Sequence, residues 1–413
     1  MDTATSPDAA IEPTELEAIE SIVRASLPSF LADLEQLVNT DCGSYTKSGV
    51  DKVGAWVGAT FERLGAVVEH REHATLGGTV IGTWEGRPDS GPRVLLIGHM
   101  DTVFDEGVAA ERPFRIEDGV AHGPGVTDMK GGLLAGIYAL GALRALSGDG
   151  SLPFERLVYV ANPDEEIGSP SSSPHIRELA ANSDLCFVLE CARANGDIVS
   201  ARKGIVDARL TVHGRAAHAG VEPEKGRNAI LEAARLVREL QALNGRWPGV
   251  TVNVGVISGG TRPNVVAERC SLEVDVRATA RAQLEEAEAA IRELTASTIV
   301  PDTRIELTEM GRHWPMEKLE RSGRLVDHAQ AIARRLGFEV HDAATGGASD
   351  ANTTSGLGVP TIDGLGPIGG NDHSPSEYLD VGSIVSRTAL LAGLLLSVAR
   401  DPVVASWRGT RPA

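Results

Sequence analysis

Aromatic residues, paired cysteines and long apolar runs are scarce in this sequence of 413 residues. The four cysteines, Cys42, Cys186, Cys191 and Cys270, form no CxxC pair and no framework spacing, so we expect reduced, buried thiols rather than disulfides. The longest late apolar stretch, at 388–399, is too short for a bilayer crossing, which needs about 20 residues. Disulfide scaffolds and membrane spans are therefore excluded as organising features.

Positive charge is also in short supply. Asp and Glu outnumber Lys and Arg by 57 to 39, a formal net charge of -18, and this field would repel a phosphate backbone or an anionic membrane. We expect neither nucleic acid nor membrane as a partner, whereas arginines inside a cleft could still accept a small anionic substrate. Residues 1–20 are acidic and polar and lack a secretory-signal pattern, so we expect a cytoplasmic protein.

The length favours two domains. Short apolar runs without alternation predict strands covered on both faces, and helical stretches between them predict an α/β domain with a mixed, mainly parallel sheet and helices on both faces. After residue 204 the elements follow the order β-α-β-β-α-β of a ferredoxin-like α+β domain. We expect a discontinuous catalytic domain, 1–204 with 313–413, interrupted by an inserted domain, 205–312.

The helix predicted for RNAILEAARLVREL belongs to the inserted domain. Its apolar residues recur at helical spacing, which predicts that one face packs on the sheet. The predicted packing residues are Ile230, Ala233, Val237 and Leu240.

Several polar residues follow the predicted parallel strands, at the edge where open α/β sheets bind ligands. In LLIGHMDTV, His99 is a candidate metal ligand, and Asp101 is placed to accept the other ring N–H. Asp128 lies in the glycine-rich turn HGPGVTDMKGG, which lacks the GK[ST] of a phosphate-binding loop. Glu190 ends another strand and His373 lies in the loop GGNDHSPSEYL. Taken singly, the His-x-Asp pair and Asp128 are more often structural and His373 is more often a surface residue, whereas a charge at Glu190 is costly without a partner.

Three acids in a row follow the strand RLVYVA in the segment NPDEEIGS. Asp164, Glu165 and Glu166 repel one another unless something nearby neutralises them, and a solvated turn is the plain interpretation of this segment alone. Together with the other strand-end groups the balance changes, because carboxylates converging on one sheet edge raise one another's pKa or bind cations. The whole set favours two divalent metal ions.

These motifs, in order, resemble the dinuclear zinc hydrolase family of acetylornithine deacetylase, succinyl-diaminopimelate desuccinylase and bacterial carboxypeptidase G, and the carboxypeptidase G branch most. The resemblance extends from about Leu16 to Arg400. It implies two Zn²⁺ per subunit, with Co²⁺ or Mn²⁺ as alternatives. The implied roles place His99 and Glu190 on one zinc, Glu166 and His373 on the other, Asp128 between both with a cis peptide after it, Asp101 behind His99, and Glu165 unligated as the general base.

Two local departures from the family pattern leave the ligands intact. Cys191 stands where the carboxypeptidase G branch often has proline, and Met129 replaces a frequent aspartate. The first departure could alter the wall of the substrate pocket.

The resemblance also assigns roles to residues of the inserted domain, which it makes a dimerisation domain. His218 in GRAAHAG would reach across a homodimer to the oxyanion of the neighbouring site, while Asn264 in TRPNVV and Arg277 in EVDVRA would hold a substrate carboxylate. Arg312 in EMGRHW is balanced between a substrate contact and a surface arginine. Gly346, Gly347 and Ser349 in TGGASDA resemble a pocket-lining loop, with a plain flexible turn as the alternative.

The expected activity is zinc-dependent hydrolysis of an amide bond. The substrate would be a small molecule or short peptide with a free carboxylate, and the released group a C-terminal amino acid, with glutamate expected. An N-acyl-amino-acid deacylase or a dipeptidase on the same scaffold is the nearest alternative. A metal-bearing binding protein without turnover is the alternative from a different class.

Overall fold

The computed structural model describes residues 11–86 and 91–410. Residues 1–10, which carry half of the segment used above to argue against a secretory signal, lie outside the described residues. Within the described part, the chain forms two compact units. The first unit comprises Met1–Ser200, Lys318–Ala344 and Ser349–Ala413, and the second comprises Ala201–Glu317 and Thr345–Ala348. The sequence placed 345–348 in the catalytic domain, whereas the structure groups this short segment with the second unit.

Helices make up a large part of both units. They are α1 (Pro13–Val38), α2 (Lys47–Arg63), α3 (Val108–Glu111), α4 (Gly131–Ser147), α5 (Ser173–Ala181), α6 (Ala229–Gln241), α7 (Arg281–Thr295), α8 (Glu320–Arg335), α9 (Asp350–Gly356), α10 (Ser383–Ala399) and α11 (Pro402–Ala405). Short helical turns of other types occur at Val126–Lys130, Glu165–Ile167 and Pro223–Lys225. Among the described residues, no helix combines the length and the apolar character that a bilayer crossing demands.

Strands alternate with these helices. They are β1 (Val67–Arg71), β2 (Thr79–Glu85), β3 (Arg93–His99), β4 (Arg115–Glu117), β5 (Val120–His122), β6 (Arg156–Asn162), β7 (Leu185–Val188), β8 (Ile198–Arg202), β9 (Gly204–His213), β10 (Thr251–Gly259), β11 (Arg269–Ala278), β12 (Arg304–His313), β13 (Asp342–Thr345), β14 (Thr361–Ile362), β15 (Gly369–Gly370) and β16 (Tyr378–Asp380).

The main sheet of the first unit has the strand order β1-β2-β6-β3-β7-β14. The strands from β6 to β14 run parallel, and β1 and β2 add an antiparallel edge. Helices α1, α4 and α10 pack against one another, and all but the first residue of β3 and of β6 are buried. The predicted mixed, mainly parallel α/β sheet is confirmed. A smaller sheet, β15-β16-β5-β4, carries the Asp128 turn and the His373 loop beside it.

A buried polar network joins α8 to α10 in the first unit. His328 lies between the Ser397 hydroxyl, 2.7 Å from Nδ1, and the Asp401 carboxylate, 2.7 Å from Nε2. Arg324 Nε donates to the same carboxylate at 2.5 Å. The serine is fully buried, so this Ser-His-Asp arrangement has no access to a substrate and serves packing.

We expect this network to weaken in acid. Burial lowers the pKa of His328 below its usual 6.5 despite the opposing effect of Asp401. The unfolded chain then binds this proton more readily, so the free energy of unfolding falls as the pH falls through 6.5 and below. In His328→Gln the slope against pH between 7 and 5.5 should be shallower, by at most about 1.4 kcal/mol per pH unit. Denaturant unfolding at matched metal content measures both slopes, and equal slopes would contradict the assignment.

The second unit has a ferredoxin-like arrangement. Its antiparallel sheet has the order β10-β11-β9-β12, and α6 and α7 pack on it. One prediction for α6 is wrong, because Ile230 is 42% exposed. The carboxylate of Glu232 is buried and accepts the backbone N–H groups of Ile299 and Val300, so the buried stripe includes a charged residue that periodicity of apolar residues does not predict. The buried positions are Ala229, Glu232, Ala233, Leu236 and Leu240.

Candidate metal centre

Three neighbouring parallel strands of the main sheet end at one edge. His99 is the last residue of β3, the Glu165–Ile167 turn follows β6, and Glu190 follows β7. Because β3 lies between β6 and β7, the carboxylates that follow the outer strands flank the imidazole at the end of the central one. The four free cysteines are all buried, and none of them takes part in this cluster.

Asp128 joins two groups of side chains. Its Oδ1 lies 3.1 Å from His99 Nε2, and its Oδ2 lies 3.1 Å from His373 Nε2. Glu190 Oε1 also approaches His99 Nε2, at 3.8 Å, and Glu166 Oε2 also approaches His373 Nε2, at 3.0 Å. The five predicted ligands therefore gather in two sets that share one carboxylate.

The potential ligand atoms of these residues form two overlapping groups that both include His99. Those of His99, Asp128 and Glu166 lie within 4.8 Å of one another, and so do those of His99, Glu165 and Glu190. Glu165, predicted as an unligated base, thus lies close to His99 and Glu190. It can reach a water or substrate bound beside these two residues.

The buried carboxylates of this cluster form an environment that suits metal ions. Burial raises the pKa of Glu165 and of Glu190 well above the usual range, and burial also raises the pKa of Glu166. Such carboxylates favour proton uptake unless cations lie among them. Their oxygens, together with two imidazoles, form a donor set that zinc and related divalent ions accept.

Both histidines lie beside carboxylates that raise their pKa. Hydrogen bonds with Asp128 and Glu166 raise the pKa of His373 to about 11. Burial lowers the pKa of His99, but hydrogen bonds with Asp101 and Asp128 outweigh it and raise the net pKa. Burial raises the pKa of Asp128, yet the two histidines hold it below its usual range. Metal ions would replace these protons, so binding is coupled to proton release.

The local backbone presents Asp128 at the start of a buried helix. The residue lies in the turn Val126–Lys130, directly before α4, and the Asp128–Met129 peptide is cis, as the resemblance implies. Gly125 has φ +70°, and a Cβ there would lie 2.4 Å from Thr102 Cγ2, so this position requires glycine. The turn is therefore closely fitted to the chain that follows His99.

Asp101 has a wider role than the sequence indicated. Its carboxylate is fully buried and accepts the N–H of Glu165 at 3.1 Å and the N–H of Glu166 at 3.2 Å. Ser44 Oγ donates to it at 2.6 Å. His99 Nδ1 is 3.0 Å from the Asp101 backbone oxygen and 3.4 Å from the carboxylate. The backbone carbonyl makes the closer contact with the ring, and the carboxylate fixes the turn that carries two acids.

Asp164, the first of the three consecutive acids, has hydrogen-bond partners outside the ligand cluster. Asp164 is fully buried and accepts the Ser171 N–H at 2.5 Å and the Ser172 hydroxyl at 2.5 Å. Hydroxyl and amide donors thus stabilise its charge, so the three consecutive acids have three different environments. This separates Asp164 from its neighbours Glu165 and Glu166.

The sequence did not single out Asp350, which supports the same turn. Its two carboxylate oxygens accept from Ser169 Oγ and Asn162 Nδ2, each at 2.7 Å. Burial raises its pKa to about 6. The sequence offered one indication of Asp350, since this acid directly follows Ser349 in the TGGASDA segment that resembles a pocket-lining loop.

The predicted residues of the second unit form two local groups. Ala219 N donates to Asn264 O at 3.0 Å and His218 pairs with Val265, so His218 and Asn264 are neighbours. Arg277 Nη1 donates to Gly346 O at 3.0 Å, and its Nε donates to Asp275 at 3.0 Å.

Arg312 and the TGGASDA segment have other partners. Arg312 pairs with Glu288 and Glu309, and its guanidinium stacks 4.7 Å from the Trp314 ring centre. Arg202 Nη1 donates to Gly347 O at 3.1 Å. Ser349 belongs to the first unit, where it caps α9 and its hydroxyl donates to Asp363 at 2.7 Å. Substrate contacts by these residues stay predictions.

The fold and the ligand cluster define a metal-dependent hydrolase of the mixed α/β type. A model of the peptidase family M20/M25/M40 matches residues 95–397, and the chain belongs to this family. It is 30% identical to carboxypeptidase G2 of Pseudomonas sp. (strain RS-16) over 90% of this chain and 89% of that protein. It is 27% identical to succinyl-diaminopimelate desuccinylase of Alkalilimnicola ehrlichii over 77% of this chain and 87% of that protein.

Solved structures show the same fold. The crystal structure of aminopeptidase PepT from Bacillus cereus matches with a TM-score of 0.75 and 22% identity, covering 90% of this chain and 99% of that one. The resemblance stated from the motifs is confirmed, and the chain is a metallopeptidase-type hydrolase.

Proposed function

We propose that this protein is a two-zinc hydrolase that removes a C-terminal amino acid, preferentially glutamate, from an N-acyl or peptide substrate. The observation that carries the proposal is Asp128, whose two carboxylate oxygens each lie 3.1 Å from a different histidine. His99 and Glu190 would hold one ion, and Glu166 and His373 the other. When bound, two such ions lower the pKa of a shared water and polarise a carbonyl oxygen.

Glu165 is the proton carrier in this proposal. Its pKa, raised by burial, favours retention of a proton taken from the attacking water. Asp101 accepts the Glu165 N–H and so orients the residue, while Asp164 and Asp350 fix the turn on its other side. The carboxylate can then deliver the same proton to the leaving amine.

Asn264 and Arg277 would bind the free carboxylate of the substrate. Arg277 has five N–H donors, of which Nε and one hydrogen each on Nη1 and Nη2 are used by Asp275 and Gly346. Two N–H groups are left for a planar anion. The relative named carboxypeptidase G2 supports a carboxypeptidase reaction, and the desuccinylase supports the alternative, an N-acyl deacylase.

A substrate panel tests the released group. We expect N-acyl glutamates to give the highest kcat/KM, above N-acetyl derivatives of neutral amino acids and above dipeptides with a free amino end. Activity should disappear on chelation and return with Zn²⁺. A preference for short N-acetyl groups regardless of the amino acid would favour the deacylase, and metal binding without turnover would favour a binding protein.

The second unit carries features that support a homodimer. Strand β10 is an edge of its sheet, and Val256 and Ile257 on it are 50% and 54% exposed. Ile230 and Leu231 at the start of α6 are also exposed. An exposed apolar edge strand favours pairing with a second chain. Because the residues that follow His218 and Asn264 tie the two segments together, through the Ala219 N–H bond to Asn264 O and the His218–Val265 bridge, a subunit that lends His218 to its partner also lends Asn264.

Mixing inactive chains tests this arrangement. Random reassociation of Glu165→Gln and His218→Ala chains makes half of the dimers mixed, each with one intact site, so activity should recover to about a quarter of the wild-type value. Glu165→Gln mixed with Asn264→Ala should recover equally. Asn264→Ala mixed with His218→Ala is the matched control and should stay inactive, because both residues belong to the same donated group. Recovery of activity in that control would show that His218 and Asn264 act in the sites of different subunits.

The excess of acidic residues bears on where the protein acts and on what it binds. We propose a cytoplasmic protein with no nucleic-acid or membrane partner, supported by the net charge of -18. Fractionation of cells that express the full chain tests the location.

A further inference from the structure

A buried carboxylate lies behind the turn that carries Asp128. Glu377 is 2% exposed, and its Oε2 accepts the backbone N–H of Gly125 at 2.9 Å. Its Oε1 accepts the N–H groups of Thr127 at 2.9 Å and Asp128 at 3.1 Å. One side chain therefore bonds three backbone N–H groups of the segment that ends in the bridging ligand.

The same hairpin reaches Asp128 in two ways. His373 and Glu377 both lie between β15 and β16, and β16 pairs with β5. His373 Nε2 contacts the Asp128 carboxylate, while Glu377 contacts the Asp128 backbone. The hairpin thus fixes both ends of the residue that the proposed metal pair shares.

Stabilisation of the fold alone does not explain why a carboxylate is buried at position 377. Burying a negative charge is costly, and the charge of Asp128 nearby increases that cost. A glutamate carboxylate offers acceptors only, which matches three N–H groups, whereas the amide of glutamine turns an N–H₂ toward one or more of them. The two oxygens of Glu377 instead match the three N–H groups of the turn that carries Asp128.

We propose that Glu377 is a positioning residue of the metal centre: by holding the N–H groups of Gly125, Thr127 and Asp128, it aims the Asp128 carboxylate between His99 and His373. The inference rests on the proposed two-metal function, and Glu377 contacts the backbone N–H of Asp128 rather than its carboxylate oxygens. Partners of this kind commonly change metal affinity by about 10–100-fold.

The test compares Glu377→Gln with a matched variant, Glu232→Gln. Glu232 is also a fully buried glutamate that accepts two backbone N–H groups, at 2.8 Å each, in the second unit. Metal-free protein is titrated with Co²⁺, followed by calorimetry and by the visible and EPR spectra of the cobalt centre. We expect Glu377→Gln to bind Co²⁺ roughly 10–100-fold more weakly, with an altered spectrum of the paired ions. Glu232→Gln should bind Co²⁺ as the wild type does, even if it unfolds more easily.

Wild-type Co²⁺ affinity, stoichiometry and spectrum in folded Glu377→Gln would overturn the proposal, whatever happens to its stability. Should that variant not fold, hydrogen exchange of the wild-type metal-free protein decides. Protected amides at Gly125, Thr127 and Asp128 support the positioning role, and exchange at the rate of an open loop overturns it. A protein that passes these tests yet cleaves no amide contradicts the proposed activity and leaves the role of Glu377 intact.

Discussion

Glu165→Gln should keep its metal content and lose turnover, with kcat lower by roughly 10²–10⁴-fold. The glutamine has the same shape and can keep the backbone N–H bond to Asp101, but its amide cannot carry the proton between water and leaving amine. KM should change much less, since binding does not need this proton. Elemental analysis of dialysed protein and steady-state kinetics measure the two effects.

Glu72→Gln is the control for this substitution, because its side chain is 77% exposed and its carboxylate lies no closer than 4.0 Å to Lys47 Nζ. It should match the wild type in both measurements. Wild-type turnover in Glu165→Gln would remove Glu165 from the role of general base. Loss of metal in that variant would instead make Glu165 a ligand, as its closeness to His99 and Glu190 allows.

Asp128→Asn should lose metal binding and activity together. The bridging position needs two anionic oxygens, one toward His99 and one toward His373, and asparagine turns an N–H₂ toward one of them. The loss of metal affinity should exceed the roughly 10–100-fold typical of a residue outside the ligand set. Metal stoichiometry after dialysis and kcat/KM at saturating Zn²⁺ measure it.

Asp118→Asn makes the same chemical change at an exposed turn of the first unit, where φ is +49° and asparagine is well tolerated. It should behave as the wild type. If Asp128→Asn retained two ions and normal turnover, the shared carboxylate would be irrelevant, and the arrangement of the two ligand sets would need another explanation.

The sequence predicted the central strands best, because each of them is a continuous apolar run. Solid apolar runs predicted β3, β6 and β7, and the rule that ligands gather at strand ends then drew attention to His99 and Glu190. Strands β1 and β2 were not predicted. β1 is mostly exposed and lies at the edge of the sheet, so its residues do not repeat the buried pattern of the central strands.

Residues that act through long-range contacts were harder to find. Asp101 was noticed as a partner of His99, yet its carboxylate bonds the backbone of Glu165 and Glu166, far along the chain. Glu377 was quoted within a motif but had no role, because its partners are N–H groups that every residue type except proline provides. Side chains that bind backbone leave no pattern in the sequence of their partners.

The first unit is interrupted, and the interruption divides the ligands of its metal centre. Four of them precede the second unit, while His373 and the supporting Glu377 follow it. During synthesis the site therefore stays incomplete until the second unit and the hairpin after it have left the ribosome. Metal added at that late stage would tie the two ends of the first unit together, so we expect metal supply to govern the yield of folded protein as well as its activity.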